Sequence, residues 1–397
     1  MRIGIFTDSY EPYVSGVVRS IKTFTSELLD LGHQIYIFAP AYSRSMQKPS
    51  PGRKVPVFRY FSIPAPTYPG FVLPVPLSPR TNQLVRRLGL EVIHSHSPFL
   101  MGQLAARVAR RHQLPLVFTH HTLYPEYVHY VPMATPVIKK ITIHFLNTYC
   151  EKCDLIVAPS PSLEEWLQTT YELSRPTAVI PTGIPIGKYE SGNQAWLREQ
   201  FRIPKDRRIL LFVGRLGREK NVSFLWDILP LIDWPSVLVI VGDGPYRSEL
   251  EAMVRDRKLE DQVIFTGSLP HEEVINCYLG ADVFVFPSVT ETQGLVLAEA
   301  MAGELPVVAI DAPATNDTIE PGVDGYITPP DPQAFADRVN QILSDPDLKA
   351  RLGRQAKVKA QDFSSRRMAE RLADHYQALV DQYANRPRRA RIRPLDP

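Results

Sequence analysis

Two glutamates eight residues apart are the strongest chemical signal in this 397-residue sequence. They lie in Phe286-Pro-Ser-Val-Thr-Glu-Thr-Gln-Gly-Leu-Val-Leu-Ala-Glu-Ala300. A buried strand ends at Pro287, a polar loop follows, and a helix starts at about Gly294. A helix start leaves backbone N–H groups unpaired and carries about +0.5 charge, which makes an anion site without any side chain. Glu291 sits in the loop just before it. Glu299 lies about a turn and a half inside the helix. Two carboxylates accept hydrogen bonds from sugar hydroxyls, and the amides between them donate to phosphate oxygens. The same pair could serve a glycosidase as acid and nucleophile, but helix-start amides between the carboxylates suit a diphosphate better.

A second constellation, Val213-Gly-Arg-Leu-Gly-Arg-Glu-Lys-Asn221, follows another apolar strand. Gly214 permits a tight exit, and Arg215 and Lys220 put two cations on one loop. A departing diphosphate gains negative charge as a glycosidic bond breaks. Fixed cations aimed there stabilise the transition state more than the ground state. A third loop, Asp8-Ser-Tyr-Glu-Pro-Tyr-Val-Ser-Gly-Val17, joins the first strand to a helix opened by Gly16. It is not G-x-G-x-x-G, so a dinucleotide reading has no support.

The elements that must hold these loops alternate. Ile3–Phe6, Gln34–Phe38, Val92–His94, Leu116–Phe118 and Leu155–Val157 read as buried strands, and Ser20–Leu31 as an amphipathic helix. The stretch Gly183–Gly192 has little periodicity and reads as a linker. The pattern then restarts: strands Ile209–Val213, Val237–Val241, Val263–Phe265, Val283–Phe286 and Val307–Ala309, with helices Val222–Leu231, Tyr246–Lys258 and Leu295–Ala302. This predicts an α/β chain of two doubly wound, Rossmann-like domains, with the ligand at the carboxyl ends of the strands in a cleft between them. A last helix carries Met368, Leu372, Tyr376, Leu379 and Tyr383 on one face, capped by Ser364 or Ser365. The expected boundaries are 1–182, 183–365 and 366–397.

The formal charge is +3, from 45 Lys+Arg and 42 Asp+Glu. That balance argues against a dedicated nucleic-acid binder. With 44% hydrophobic and 22% charged residues, disorder is excluded. Three cysteines cannot build a disulfide framework and fit a reducing compartment. No apolar run is long enough to span a bilayer, and Met1–Phe6 runs straight into a strand rather than a signal peptide. A cytoplasmic protein is expected. Cys150-Glu-Lys-Cys153 is a single CxxC at a helix end and reads as structural. His94-Ser-His96 reads as lining the cleft rather than as a metal site. Asp345-Pro-Asp347 falls after a helix and reads as a turn.

At this point the residues resemble a GT-B retaining glycosyltransferase of family 4. E-x7-E is matched by Glu291 and Glu299, and G-R-x4-K by Gly214, Arg215 and Lys220. The Gly-Asp-Gly-Pro turn at 242–245 and the loop Phe265-Thr-Gly-Ser-Leu269 also fit. The resemblance implies that Glu299 binds the nucleotide ribose and Glu291 reads the hexose, with the amides of Gln293, Gly294 and Leu295 nearby. It implies that Arg215 and Lys220 clamp the diphosphate and that the loop ending at Leu269 holds the base. It places His121, in Thr119-His-His121, near the donor hexose, and Gly16 near the phosphates. Many members have two glycines in the first loop, where this chain has Ser15-Gly16-Val17, and E-G-F-G-L where it has Glu-Thr-Gln-Gly-Leu.

Thr-Glu-Thr-Gln-Gly-Leu, from Thr290 to Leu295, and His120–Tyr130 are similar to the branch that glucosylates diacylglycerol. The implied reaction moves glucose from UDP-glucose to a lipid hydroxyl with retention. No cofactor and no metal are needed, since arginine, lysine and a helix start take the metal's place. A family 4 enzyme with a soluble sugar or phosphatidylinositol-type acceptor is the alternative, as is a UDP-sugar epimerase. A lipid acceptor implies a peripheral enzyme on an anionic membrane surface, at the inner face of the cell membrane. The candidate anchors are the proline- and aromatic-rich segment Phe58–Pro79, with Tyr68 and Phe71, and the arginines after it, Arg86 and Arg87. Tyr127–Thr148 and the five arginines of 386–393 are further candidates.

Overall fold

The structure, a computed structural model, describes residues 1–13, 15–43, 55–65, 71–124 and 136–385. Tyr68, the start of the segment from Tyr127 and the arginines of 386–393 lie outside the described residues. The chain forms two compact units. One comprises Met1–Pro159, Trp166–Ile180 and the chain from Ala369 on; the other comprises Ser160–Glu165 and Pro181–Met368.

The first unit is built on seven parallel strands. Its elements in chain order are β1 (Arg2–Phe6), α1 (Gly16–Asp30), β2 (Gln34–Pro40), β3 (Val57–Tyr60), a short antiparallel hairpin of β4 (Ser62–Pro64) and β5 (Val72–Pro74), and α2 (Thr81–Leu88). They continue through β6 (Val92–Ser95), α3 (Leu100–His112), β7 (Leu116–Thr119), α4 (Pro136–Cys150), β8 (Leu155–Ala158), α5 (Pro161–Tyr171) and β9 (Thr177–Val179). The sheet order is β3-β2-β1-β6-β7-β8-β9, with every neighbour parallel. The order reverses between β1 and β6, so a crevice opens beyond the carboxyl ends of those two strands.

The second unit repeats the plan. It contains α6 (Gly187–Glu190), α7 (Trp196–Gln200), β10 (Arg208–Val213), α8 (Phe224–Ile228), β11 (Ser236–Val241), α9 (Arg247–Asp256), β12 (Val263–Gly267), α10 (His271–Gly280) and β13 (Val283–Phe286). After these come α11 (Leu295–Ala302), β14 (Val307–Ile310), α12 (Pro313–Thr318), β15 (Gly325–Thr328), α13 (Pro332–Ser344) and α14 (Pro346–Ala360). The six-stranded order β12-β11-β10-β13-β14-β15 is again fully parallel and reverses between β10 and β13. β11 is buried along its whole length. Such a strand shows no alternation because helices cover both faces. Truncating its Leu238 or Ile240 to alanine is expected to cost about 2–5 kcal/mol in denaturant unfolding.

The last helix, α15 (Ser365–Ala384), buries Met368, Leu372 and Tyr376, the stripe its spacing predicts. From Ala369 onward it belongs to the first unit. There Tyr376 meets His94, and Tyr383 Oη donates to both oxygens of Asp154 at 2.7–2.8 Å.

Three expectations are corrected. Gly183–Gly192 is not a linker: Ile184 and Tyr189 are buried in the second unit's core, and α6 forms within it. A Cβ on Gly183 would collide with Ser365, so the glycine serves close packing rather than flexibility. The helix expected over Val222–Leu231 shortens to α8 followed by a 3-10 turn, Leu229–Leu231. Pro230 supplies no N–H to continue it. Asp345-Pro-Asp347 is a helix start rather than a turn: the Asp345 carboxylate caps α14 by accepting from Leu348 N at 2.9 Å, and Pro346 and Asp347 are the first residues of that helix.

Candidate active site

In the second unit, both acidic and basic constellations leave the carboxyl ends of the two strands at the reversal, β10 and β13. The turn after β10 is locked to the turn after β11. Gly214 N donates to Val241 O at 3.0 Å, Leu216 N to Asp243 O at 3.0 Å, and Tyr246 N back to Leu216 O at 3.0 Å. Gly242 makes this possible: its φ is +136°, and a Cβ there would collide with the Gly214 carbonyl. The cations on the loop differ in their neighbours. Arg218 lies over the Tyr246 ring, 4.6 Å from its centroid, and pairs with Glu249 at 2.6 Å. Arg215 is exposed.

The loop after β13 is tied to this one. Thr290 Oγ1 donates to Glu219 O at 3.4 Å, and Lys220 Nζ pairs with Glu291 Oε1, both side chains being largely buried. The two constellations that stand 71 residues apart in sequence therefore form one site. Gly294, with φ +66°, turns the chain into α11, whose first residue is Leu295. Glu299 projects inside the core end of that helix, fully buried, and accepts from Tyr278 Oη at 3.0 Å. Leu269, after β12, is half-buried against the core. Gln293 has a role that sequence reasoning missed. Its Oε1 accepts from Thr182 N at 2.9 Å and its Nε2 donates to Thr182 O at 2.8 Å. A phenylalanine at this position could make neither bond, so the departure from E-G-F-G-L fixes the donor loop to residue 182.

In the first unit, the corresponding ends of β1, β6 and β7 carry polar side chains. Asp8 accepts from Ser97 Oγ and, at 2.8 Å, from Met101 N in the first turn of α3. Burial pushes its carboxyl up, against the pull of those two bonds. Gly16 opens α1 after Ser15, whose Oγ accepts from Val18 N at 3.3 Å. Ser15 thus takes the first position of the expected glycine pair because it caps the helix. Nothing lies within 4 Å of where a Cβ on Gly16 would stand.

His121 is half-buried, and its Nε2 lies 2.9 Å from His96 Nδ1. His94 and His96 are not cleft-lining groups but are buried: His94 bonds Tyr376 Oη and, at 2.7 Å, Thr119 Oγ1. His120 turns the other way into an aromatic cluster of Phe118, Tyr124, Trp166 and Tyr171. Burial pushes His94 and His120 down to about 3 and His121 to about 4, with the neighbouring His121 adding to the first two. All are neutral imidazoles at pH 7. No group of three or more possible metal ligands occurs among the described residues, and the three cysteines are buried thiols.

The expected membrane residues are dispersed. Phe71 is half-buried edge-on to Tyr13, whereas Arg86 and Arg87 are exposed in the last turn of α2. Tyr60 is buried and bonds Thr81 Oγ1 at 2.7 Å, while Phe61 and Leu77 are 72% and 79% exposed. Helix α4 exposes Val137, Ile141 and Phe145 at intervals of four, beside Lys139 and Lys140. Among the described residues no helix is long and apolar enough to cross a membrane.

Comparison with known proteins agrees with this geometry. Residues 14–188 match the model of Glycosyltransferase Family 4, and residues 193–359 that of Glycosyl transferases group 1. The chain is 29% identical to an alpha-monoglucosyldiacylglycerol synthase of Streptococcus pneumoniae, over 88% of this chain and 80% of that one. It is 30% identical to a GDP-mannose-dependent alpha-mannosyltransferase of Mycolicibacterium smegmatis, over 81% of this chain and 82% of that one. Its fold matches sucrose-phosphate synthase from Thermosynechococcus elongatus with a TM-score of 0.77 at 23% identity, covering 96% of this chain and 99% of that one. Two Rossmann-like parallel sheets, an E-x7-E pair joined through Lys220 to a G-R-x4-K loop, and these matches together mean that the chain belongs to the family 4 glycosyltransferases of GT-B fold.

Proposed function

We propose that this glycosyltransferase moves glucose from UDP-glucose, with retention, to the free hydroxyl of a membrane lipid such as diacylglycerol. The observation that carries the donor half is the meeting of Lys220 and Glu291 beside the start of α11. One carboxylate, one ammonium and a set of helix-start amides suit a hexose joined to a diphosphate. In this reading Arg215 and Lys220 hold the diphosphate, and Glu299 takes the ribose. Glu291 and His121 read the sugar, and Leu269 borders the base. The acceptor oxygen attacks C1 on the face from which the phosphate leaves. The C1–O(phosphate) bond breaks as the new C1–O bond forms, and the acceptor's proton passes to the departing phosphate oxygen. No step needs a metal or cofactor.

The acceptor half is supported by the glucosyldiacylglycerol synthase relative and by charge. Residues 31–150 contain thirteen Lys+Arg and two Asp+Glu, in a chain of net +3. Arg107, Arg110 and Arg111 of α3 line a groove of about 720 Å3 with Leu77, Pro79 and Leu104. Each cation near an anionic leaflet contributes about 1 kcal/mol, and exposed apolar residues such as Leu77, Val137 and Ile141 suit the interface. The expected location is peripheral, on the cytoplasmic face of the cell membrane.

Radiolabelled UDP-glucose incubated with the protein and diacylglycerol liposomes tests the whole reading. Label should enter the organic phase. Label confined to water-soluble glycan would sink the lipid acceptor, and release of UDP without an acceptor would favour an epimerase. The mannosyltransferase relative favours a second donor, GDP-mannose, and competition between the two nucleotide sugars separates them.

Gly16 offers a sharper check. Gly16→Ala should leave stability unchanged or raise it by roughly 0.5–1 kcal/mol, because alanine is the better helix residue and meets no neighbour. The same methyl would stand where the diphosphate is assigned, so donor kcat/KM should fall about 10–100-fold. Thermal unfolding and donor kinetics on one preparation read both numbers.

A further inference from the structure

The loop between β13 and α11 is held from two sides. On one side Ser288 Oγ and Thr290 Oγ1 donate to Glu219 O at 3.5 and 3.4 Å, and Lys220 Nζ pairs with Glu291. On the other, the Gln293 amide spans the Thr182 backbone, accepting from its N at 2.9 Å and donating to its O at 2.8 Å. A backbone N–H only donates and a carbonyl only accepts, so these two bonds leave the amide one orientation. The anchor is itself fixed. Thr182 is buried. Two residues on, Ile184 N donates to Phe363 O at 2.7 Å, and Ser365 N donates to Ile184 O at 2.9 Å. Between them, a Cβ on Gly183 would stand 2.3 Å from Ser365 Cα.

The two ties respond differently to an anion. A diphosphate drawn to Lys220 competes with Glu291 for the same ammonium, so that tie weakens as the site fills. The Gln293 tie contains no ion pair, so the anion leaves it in place. It acts on the residue just before Gly294, whose φ of +66° turns the chain into α11. Glycine is a permissive joint, and the tie restrains the chain on its N-terminal side. We propose that Gln293 is a positioning residue. Its side chain keeps the backbone amides of residues 293–295 aimed at the diphosphate before the donor arrives and while the ion pair beside them opens. The inference rests on the assignment of the diphosphate to the start of α11, and it gives the Gln293 side chain a role in donor binding. The loop is ordered when the protein folds, so binding does not bear that entropy.

Two substitutions in the full-length protein test this. Methionine at 293 keeps nearly the length of glutamine and makes neither bond. Asparagine keeps the amide but falls one methylene short of Thr182. Gln293→Met and Gln293→Asn should each weaken UDP about 10-fold in calorimetric titration, the scale of one or two ordinary hydrogen bonds. UDP-glucose kcat/KM should fall at least as far, because fixed donors matter most where the diphosphate gains charge. Uridine lacks the diphosphate and should bind all three proteins within about twofold. Saturation-transfer NMR follows such weak binding, and retained uridine binding also reports a folded site. A merely structural role would weaken uridine and UDP in parallel. That parallel loss, or native UDP affinity in the Met variant, would overturn the role given to Gln293 and leave the donor site standing. A native protein that binds no UDP would remove the donor site itself, and the inference with it.

Discussion

Arg215→Ala is expected to lower turnover about 10²–10³-fold, the usual cost of removing one fixed partner of a developing anion. Its side chain is exposed and sits on a loop that backbone bonds to Val241 and Asp243 already hold, so the fold should be untouched and unfolding curves should superimpose. Lys220→Ala should cost at least as much, for a different reason. Lys220 is paired with Glu291. Removing the ammonium takes a cation from the diphosphate and also leaves a largely buried carboxylate beside it, where like charges repel. A second substitution, Glu291→Gln, should therefore restore part of the donor affinity lost in Lys220→Ala, although not the rate, since the carboxylate that reads the sugar is gone. The two losses are then non-additive, as expected of groups in contact. Steady-state kinetics and donor titration of the four proteins close the cycle. Native turnover in Arg215→Ala, or strict additivity of the other pair, would refute this account of the clamp.

Acid should unfold the first unit well before it titrates most carboxylates. His94 and His120 are held down to about 3, by burial first and by the neighbouring His121 second. An unfolded histidine titrates near 6.5. The native state therefore gains full benefit above about pH 6.5, and that benefit is lost as pH falls from there toward the folded values, because the unfolded chain takes up protons first. At pH 5 each of the two should have lost about 2 kcal/mol, so roughly 4 kcal/mol together. That is a large share of a typical stability of about 5–15 kcal/mol. Asp8, raised by burial, works in the opposite direction as pH falls, but it is one group against several. His120→Phe should flatten the profile: its Nδ1 has no hydrogen-bond partner, and the ring already lies among Phe118, Tyr124, Trp166 and Tyr171. Denaturant unfolding at pH 7.5, 6 and 5 measures the slope, and a flat response over that range would contradict neutral buried imidazoles.

The primary structure reveals the scaffold well because each strand announces itself locally. Runs such as Ile209–Val213 and Val237–Val241 have no polar interruption, and only a strand covered on both faces tolerates that. The loops that follow them are equally legible. Gly214, Arg215 and Lys220, and Glu291 through Glu299, lie within single short stretches, and a helix start attracts anions wherever it is placed. Gly183–Gly192 misled because glycine and weak periodicity look alike in a flexible connection and in a segment packed tightly against Ser365. His94-Ser-His96 misled for a related reason: alternation shows that two imidazoles share a face, not whether that face is wet.

Chain order alone thus dictates two doubly wound sheets and the chemistry of each loop, since backbone pairing and helix-start charge depend on neighbours a few residues away. Partnership needed the three-dimensional arrangement. Lys220 finds Glu291 across 71 residues, Thr182 finds Gln293 across 111, and His94 finds Tyr376 across 282. Such side-chain bonds depend on which strands lie adjacent and where the last helix docks, and no local propensity encodes either.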